Sequence, residues 1–137
     1  SASELARATS RLVEGDESGA ITAACGAIDL VTQGIYEKYG LGDPGKVSFS
    51  AKVNTALQQL QVFEEMQREF EELEIPKDDA SSIVNEIATA TNHAAQALQI
   101  IPKRMGDVHG TKRALRKTAY DSIKWASAIC GLLEGKA

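Results

Sequence analysis

The chain is expected to be all-α: an antiparallel four-helix-type bundle with a short extra helix at its N-terminus. Three observations lead there. Apolar residues recur every three or four positions through most of the 137 residues, which is the period of one helix face. The apolar content is 43% but aromatics make up only 5%, so the core must be aliphatic and alanine-rich, which suits close helices better than a sheet. The three prolines, Pro44, Pro76 and Pro102, fall where helices should start, stop or bend.

The elements follow in order. Residues 3–13 form a short helix with Leu5, Ala8 and Leu12 on one side. Glu14 to Glu17 make a polar break, and Ser18 is placed to cap the next helix. That helix carries Ile21, Cys25, Ile28, Val31, Ile35 and Tyr39 on one face and ends at Gly40. A Gly/Pro loop from Leu41 to Ser48 leads into one long helix, 49–73, with the stripe Val53, Leu57, Leu60, Phe63, Met66, Phe70 and Leu73. Pro76 closes it, and Asp78 or Asp79 caps the next. The cleanest seam comes there: Ile83, Ile87, Ala90, Ala94, Ala97 and Ile101, with steps alternating four and three, as in bundle packing. Pro102 ends or kinks that helix. A last helix from about Lys112 to Leu133 has Leu115, Ala119, Ile123, Ala126, Ile129 and Leu133 on one face. Residues 1–17 therefore read as a leading helix and linker, part of which could be a tag, and 18–134 as the bundle.

Composition bounds the function. Cys25 and Cys130 lie in apolar helical stretches and read as buried thiols, not a disulfide framework. No signal peptide and no membrane-length apolar run is visible, so a cytoplasmic location and no membrane partner are expected. No cofactor is expected either. The chain has no Gly-rich phosphate loop and no H-E-x-x-H; Cys25, His93, His109 and Cys130 are too scattered for a zinc site; no Glu lies three residues before a histidine, as a di-iron bundle needs. The net charge of −4 conceals a segregation: residues 62–79 hold eight acids against two bases, and 103–124 hold seven bases against two acids. A solvated helix face is the plain reading of such a run, and an anion site the sharper one.

The segment Lys103-Arg104-Met105-Gly106-Asp107-Val108-His109-Gly110 joins two long helices at the start of that basic region. A histidine exchanges protons near neutral pH. An arginine grips a phosphate through two hydrogen bonds. Helix N-termini attract anions. These pieces suit a phosphodiester site.

Arginine, four intervening residues and histidine at the entry to the last helix of an all-α chain resembles the signature of HEPN-domain ribonucleases. The string from Arg104 to Gly110 most resembles their abortive-infection C-terminal branch. The resemblance extends over roughly residues 18–134, with Asp29 where an acid often sits. The chain departs from the pattern at Met105, where the family often has asparagine, and at Pro102. The resemblance implies a metal-independent endoribonuclease of phage-defence or toxin–antitoxin type, in which the ribose 2′-hydroxyl attacks the adjacent phosphorus. His109 would be general base or acid, Arg104 would neutralise the phosphate, and Asp107 would orient His109 or cap the last helix. Lys103, Lys112, Arg113 and Arg116 would hold the RNA backbone. A homodimer, which would bring two motifs together, and a cognate antitoxin or regulatory protein are implied as partners beside RNA. The other reading of the residues is a non-catalytic dimerisation or protein-interaction module, with RNA binding without cleavage as a further option. His93 is either a second active-site histidine or a surface one, Asp29 either assists Arg104 or is solvated, and Trp125 is a core or dimer contact.

Overall fold

A computed structural model describes residues 1–105 and 112–135. These fold into six α-helices without a strand among them: α1 (Ala2–Val13), α2 (Glu17–Tyr39), α3 (Phe49–Gln59), α4 (Val62–Glu72), α5 (Lys77–Met105) and α6 (Arg113–Glu134), with one 3₁₀ turn at Pro44–Lys46. The all-α class is as the sequence predicts. No helix among the described residues is long and apolar enough to cross a membrane.

The α1–α2 corner is made by a left-handed Gly15 (φ +84°) and by Asp16, whose carboxylate accepts a hydrogen bond from the Gly19 amide at 2.9 Å. Asp16, not Ser18, is therefore the cap: the helix begins two residues earlier than expected, and Glu17 is carried into its first turn, where an acid suits the dipole. At the other end Gly40 adopts φ +63° and the Leu41 amide donates to the Tyr36 carbonyl, a left-handed C-terminal cap at the expected position.

The single helix expected over 49–73 is two. Gln61 sits in the left-handed region (φ 52°, ψ 41°) between α3 and α4. Leu60 and Val62 are both buried. Two residues apart, they would point about 200° from each other on a continuous helix, so the break is what lets both reach the core. Leu73, the last residue of the expected stripe, is 72% exposed.

Pro102 does not end α5; it lies inside the helix, which continues to Met105. A proline at this position removes the N–H that would bond the carbonyl four residues back. That carbonyl belongs to Leu98, and the Cys25 thiol of α2 donates to it instead, at 3.7 Å. Helix α5 begins at Lys77, so Asp78 and Asp79 lie in its first turn and do not cap it. Its buried face is Ala80, Val84, Thr91, Ala95 and Leu98, about one residue round from the predicted seam. Ile83 is 40% exposed and Ala90 is exposed. Two adjacent stripes on this helix satisfy the same spacing. The one that is buried contains Thr91, whose hydroxyl satisfies itself on the Ile87 carbonyl at 2.8 Å. Beside it, Asn92 accepts a hydrogen bond from Asn54 of α3 at 3.0 Å.

Most of the core lies around α2, where Ala24, Ile28 and Ile35 meet Val53, Leu57, Leu98, Ala126 and Ile129. Helix α1 is packed into it through Ala8. A second cluster joins Leu12, Ala20, Ile21, Leu115 and Ala119, with Ile101 and Met105 against it. That cluster brings the end of α5 and the start of α6 to the α1–α2 corner.

Both cysteines are buried and free, as expected. Burial, and then the Asp29 carboxylate, push the Cys25 thiol up from an ordinary 9.0 to about 12. Burial, and then Glu134, push Cys130 to about 11. Since the folded state holds its thiol protons more tightly than the unfolded one, stability is independent of these groups below about pH 8. It falls as the pH rises from there toward 11, where only the unfolded chain ionises. Native protein at pH 8 is accordingly expected to leave both thiols unreacted with a thiol-specific reagent, and protein in denaturant to react at both. Rapid labelling of either thiol in the native state would contradict this placement.

Candidate anion-binding site

Each basic side chain of this region is positioned by a helix end. Lys103 and Arg104 occupy the last turn of α5, where cations complement the dipole. Lys112 precedes α6 in extended conformation and makes no side-chain cap, since an ammonium has no acceptor to offer. Arg113 opens the helix, whose first turn contains no acid. Lysine and arginine at a helix N-terminus are electrostatically unfavourable by themselves. An anion in front of them reverses that sign.

Along α6, Arg113, Arg116, Lys117, Tyr120 and Lys124 fall within about 100° of the helix circumference. Four of them, with Leu12 from α1, line a groove of about 430 Å³. Arg116 is held there. Its Nη1 donates to Glu17 Oε1 and to the Leu12 carbonyl, both at 3.3 Å. Glu17 is only 4% exposed, while Arg116 is half exposed. The pair fastens α6 to the α1–α2 corner and leaves the remaining N–H groups of the guanidinium turned to other uses. Lys117 pairs with Asp121 one turn on, at 2.6 Å. Arg113 has no acidic partner among the described residues.

Of the predicted site residues, Lys103, Arg104, Lys112 and Arg113 are exposed and lie at the two helix ends that the Leu12–Leu115 cluster draws together. Arg116 is at the same end but is committed in part to Glu17. Asp107 and His109 lie outside the described residues. Asp29 does not assist Arg104: it pairs with Lys52 of α3 at 2.5 Å. It borders a separate groove of about 550 Å³, where Lys103, Pro102 and Gln99 face Phe49 and Cys25. His93 is eleven residues before Arg104, about 16 Å along the axis. It lines a third groove, of about 460 Å³, between α5 and α6, with Ala90, Ala94, Ala97 and Trp125. Trp125 is half-buried there.

Sequence reasoning missed Glu17, Leu12 and Tyr120. Glu17 reads as part of a polar turn, and nothing local says that it is buried. Tyr120 was legible as the aromatic four residues after Arg116 and three after Lys117.

This chain matches no protein-family model, no curated protein and no solved structure.

Truncating Arg116 strands the Glu17 carboxylate in a nearly closed site, a loss of about 2 kcal/mol. Urea unfolding of Arg116→Ala should show that loss, and Glu17→Gln in the same chain should recover part of it. An Arg116→Ala protein as stable as the parent would mean that the pair does not fasten the corner.

Proposed function

We propose that the chain is a HEPN-like bundle, with α1 as the extra leading helix, that binds RNA where α5 ends and α6 begins and cleaves it without a metal ion. The observation that carries this is the convergence of those two helix ends on the Leu12–Leu115 cluster. It gathers Lys103, Arg104, Lys112, Arg113 and Arg116 at one end of a protein whose net charge is negative. Such a patch attracts a polyanion and supplies backbone affinity without reading sequence.

In this reading Arg104 stands against the scissile phosphate. A base takes the proton of the ribose 2′-hydroxyl, the oxygen attacks phosphorus, and negative charge builds on the non-bridging oxygens, where the guanidinium stabilises it. The 5′-oxygen leaves with a proton from an acid, and a 2′,3′-cyclic phosphate remains. His109 fills one of the two proton-transfer roles, and Asp107 orients it or caps α6. One histidine cannot be base and acid at once, and a second copy of the chain supplies the other, which makes the working unit a homodimer. The setting that goes with this chemistry is cytoplasmic phage defence or a toxin held by a cognate antitoxin.

A second reading, a non-catalytic interaction module, is favoured by the α5–α6 groove, whose wall of Ala90, Ala94 and Ala97 leaves room for a partner's side chains.

The test is cleavage of RNA in EDTA by the parent chain, Arg104→Ala and His109→Ala. Chelation should leave activity intact, products should end in cyclic phosphate, and each substitution should lower the rate at least about a hundredfold. Intact RNA after incubation with folded parent protein would sink the nuclease reading and leave the interaction module.

A further inference from the structure

The groove on the outer face of α6 contains more than cations. Tyr120 is 49% exposed; it lines the groove with Arg113, Arg116 and Lys117, and the Lys124 ammonium lies over its ring, 4.4 Å from the ring centre. No hydrogen bond ties its hydroxyl to another described residue, and the ring's partner on this face is the Lys124 ammonium. Leu12, nearly buried, gives the groove an apolar wall.

We propose that this groove is a single-nucleotide subsite in which the Tyr120 ring carries an unpaired RNA base while Arg113 and the remaining N–H groups of Arg116 hold the neighbouring phosphates. The proposal rests on the RNA-binding reading above and adds to it a residue, a ligand class and a selectivity. The volume of about 430 Å³ falls in the range of small-ligand sites and accommodates one nucleotide. An aromatic face beside a basic track is the arrangement that binds single strands, because every base has a π-face and the phosphates follow the cations. Arg116, held by Glu17 and the Leu12 carbonyl, is placed before any ligand arrives and gives up less side-chain freedom on binding than an untethered arginine. Duplex RNA keeps its bases stacked and paired, so it reaches the cations but not the ring. Single-stranded RNA is therefore the preferred ligand.

The experiment is fluorescence anisotropy with a labelled ten-nucleotide RNA and the duplex of the same sequence, using the 137-residue chain with His109→Ala so that the RNA stays intact. Tyr120→Ala should weaken single-strand binding about tenfold, Tyr120→Phe should bind like the parent, and duplex binding should be the same in all three. Arg113→Ala should weaken both ligands and lower the salt slope by about one. Tyr120 is half exposed, and circular dichroism checks that each variant keeps its helices. Single-strand binding that survives Tyr120→Ala unchanged would overturn the subsite and leave the RNA-binding reading standing. Loss in Tyr120→Phe equal to that in Tyr120→Ala would also overturn it, since the contact would then be made by the hydroxyl. Absence of any binding by the parent would overturn both.

Discussion

Helix α2 touches α1, α3, α5 and α6, and its buried positions interleave alanine with larger aliphatic residues: Ala20, Ala24 and Ala27 beside Ile21, Ile28 and Ile35. A helix can be covered on so many sides only where small side chains let its neighbours approach and large ones fill the gaps between them. The partners repeat the device, with Ala8 on α1 and Ala119 and Ala126 on α6 all at zero exposure. Once α1 and α6 both close on α2, Leu12 and Leu115 share one cluster, and the start of α6 is fixed next to the α1–α2 corner. The basic end is a consequence of that packing. Its cations come from two stretches of chain, the last turn of α5 and the first turns of α6, and the closure around α2 holds both at the α1–α2 corner.

Polar groups drawn into this core are each satisfied close by. Thr32 and Ser122 return their hydroxyls to carbonyls one turn back, at 2.9 and 2.7 Å. Glu17 is the costly exception, because a carboxylate out of water needs a charge against it. Arg116 meets that need from the far end of the sequence. The same logic holds at Pro102, whose missing N–H would leave the Leu98 carbonyl open, and the Cys25 thiol occupies it. Both long-range contacts act on the two helix ends that bear the site: one secures α6, the other the last turns of α5. The aim of Arg104 and Arg113 depends on them.

Much of this was legible in the sequence. Helix periodicity located α1, α2, α5 and α6 to within a residue or two at most ends, since alanine-rich stripes and a capping glycine at position 40 are local signals. What failed was decided at a distance. Leu60 and Val62 look like one stripe with a slip in it, until both must face the core. On α5 the more hydrophobic stripe is exposed at Ile83 and Ala90 and only half-buried at Ala94 and Ile101. The one containing Thr91 faces inward, because Thr91 satisfies itself and Asn92 finds Asn54, and hydropathy credits neither bond. At the site, the clustering of bases over 103–124 was plain from composition. The split of labour among them was not: Arg116 reads like its neighbours, yet Glu17, 99 residues away, claims part of it.

The central claim is that the end of the protein where α5 stops and α6 starts is an RNA-binding surface. The most direct measurement is an amide NMR titration of the chain with a single-stranded oligonucleotide whose 2′-hydroxyls are methylated, which blocks cleavage by 2′-hydroxyl attack. The account predicts shifts concentrated at residues 12–17, 101–105 and 112–124, with the α5–α6 groove around Ala90, Ala94 and Ala97 unmoved. Shifts centred on that groove, or none anywhere at concentrations that saturate a basic surface, would contradict it.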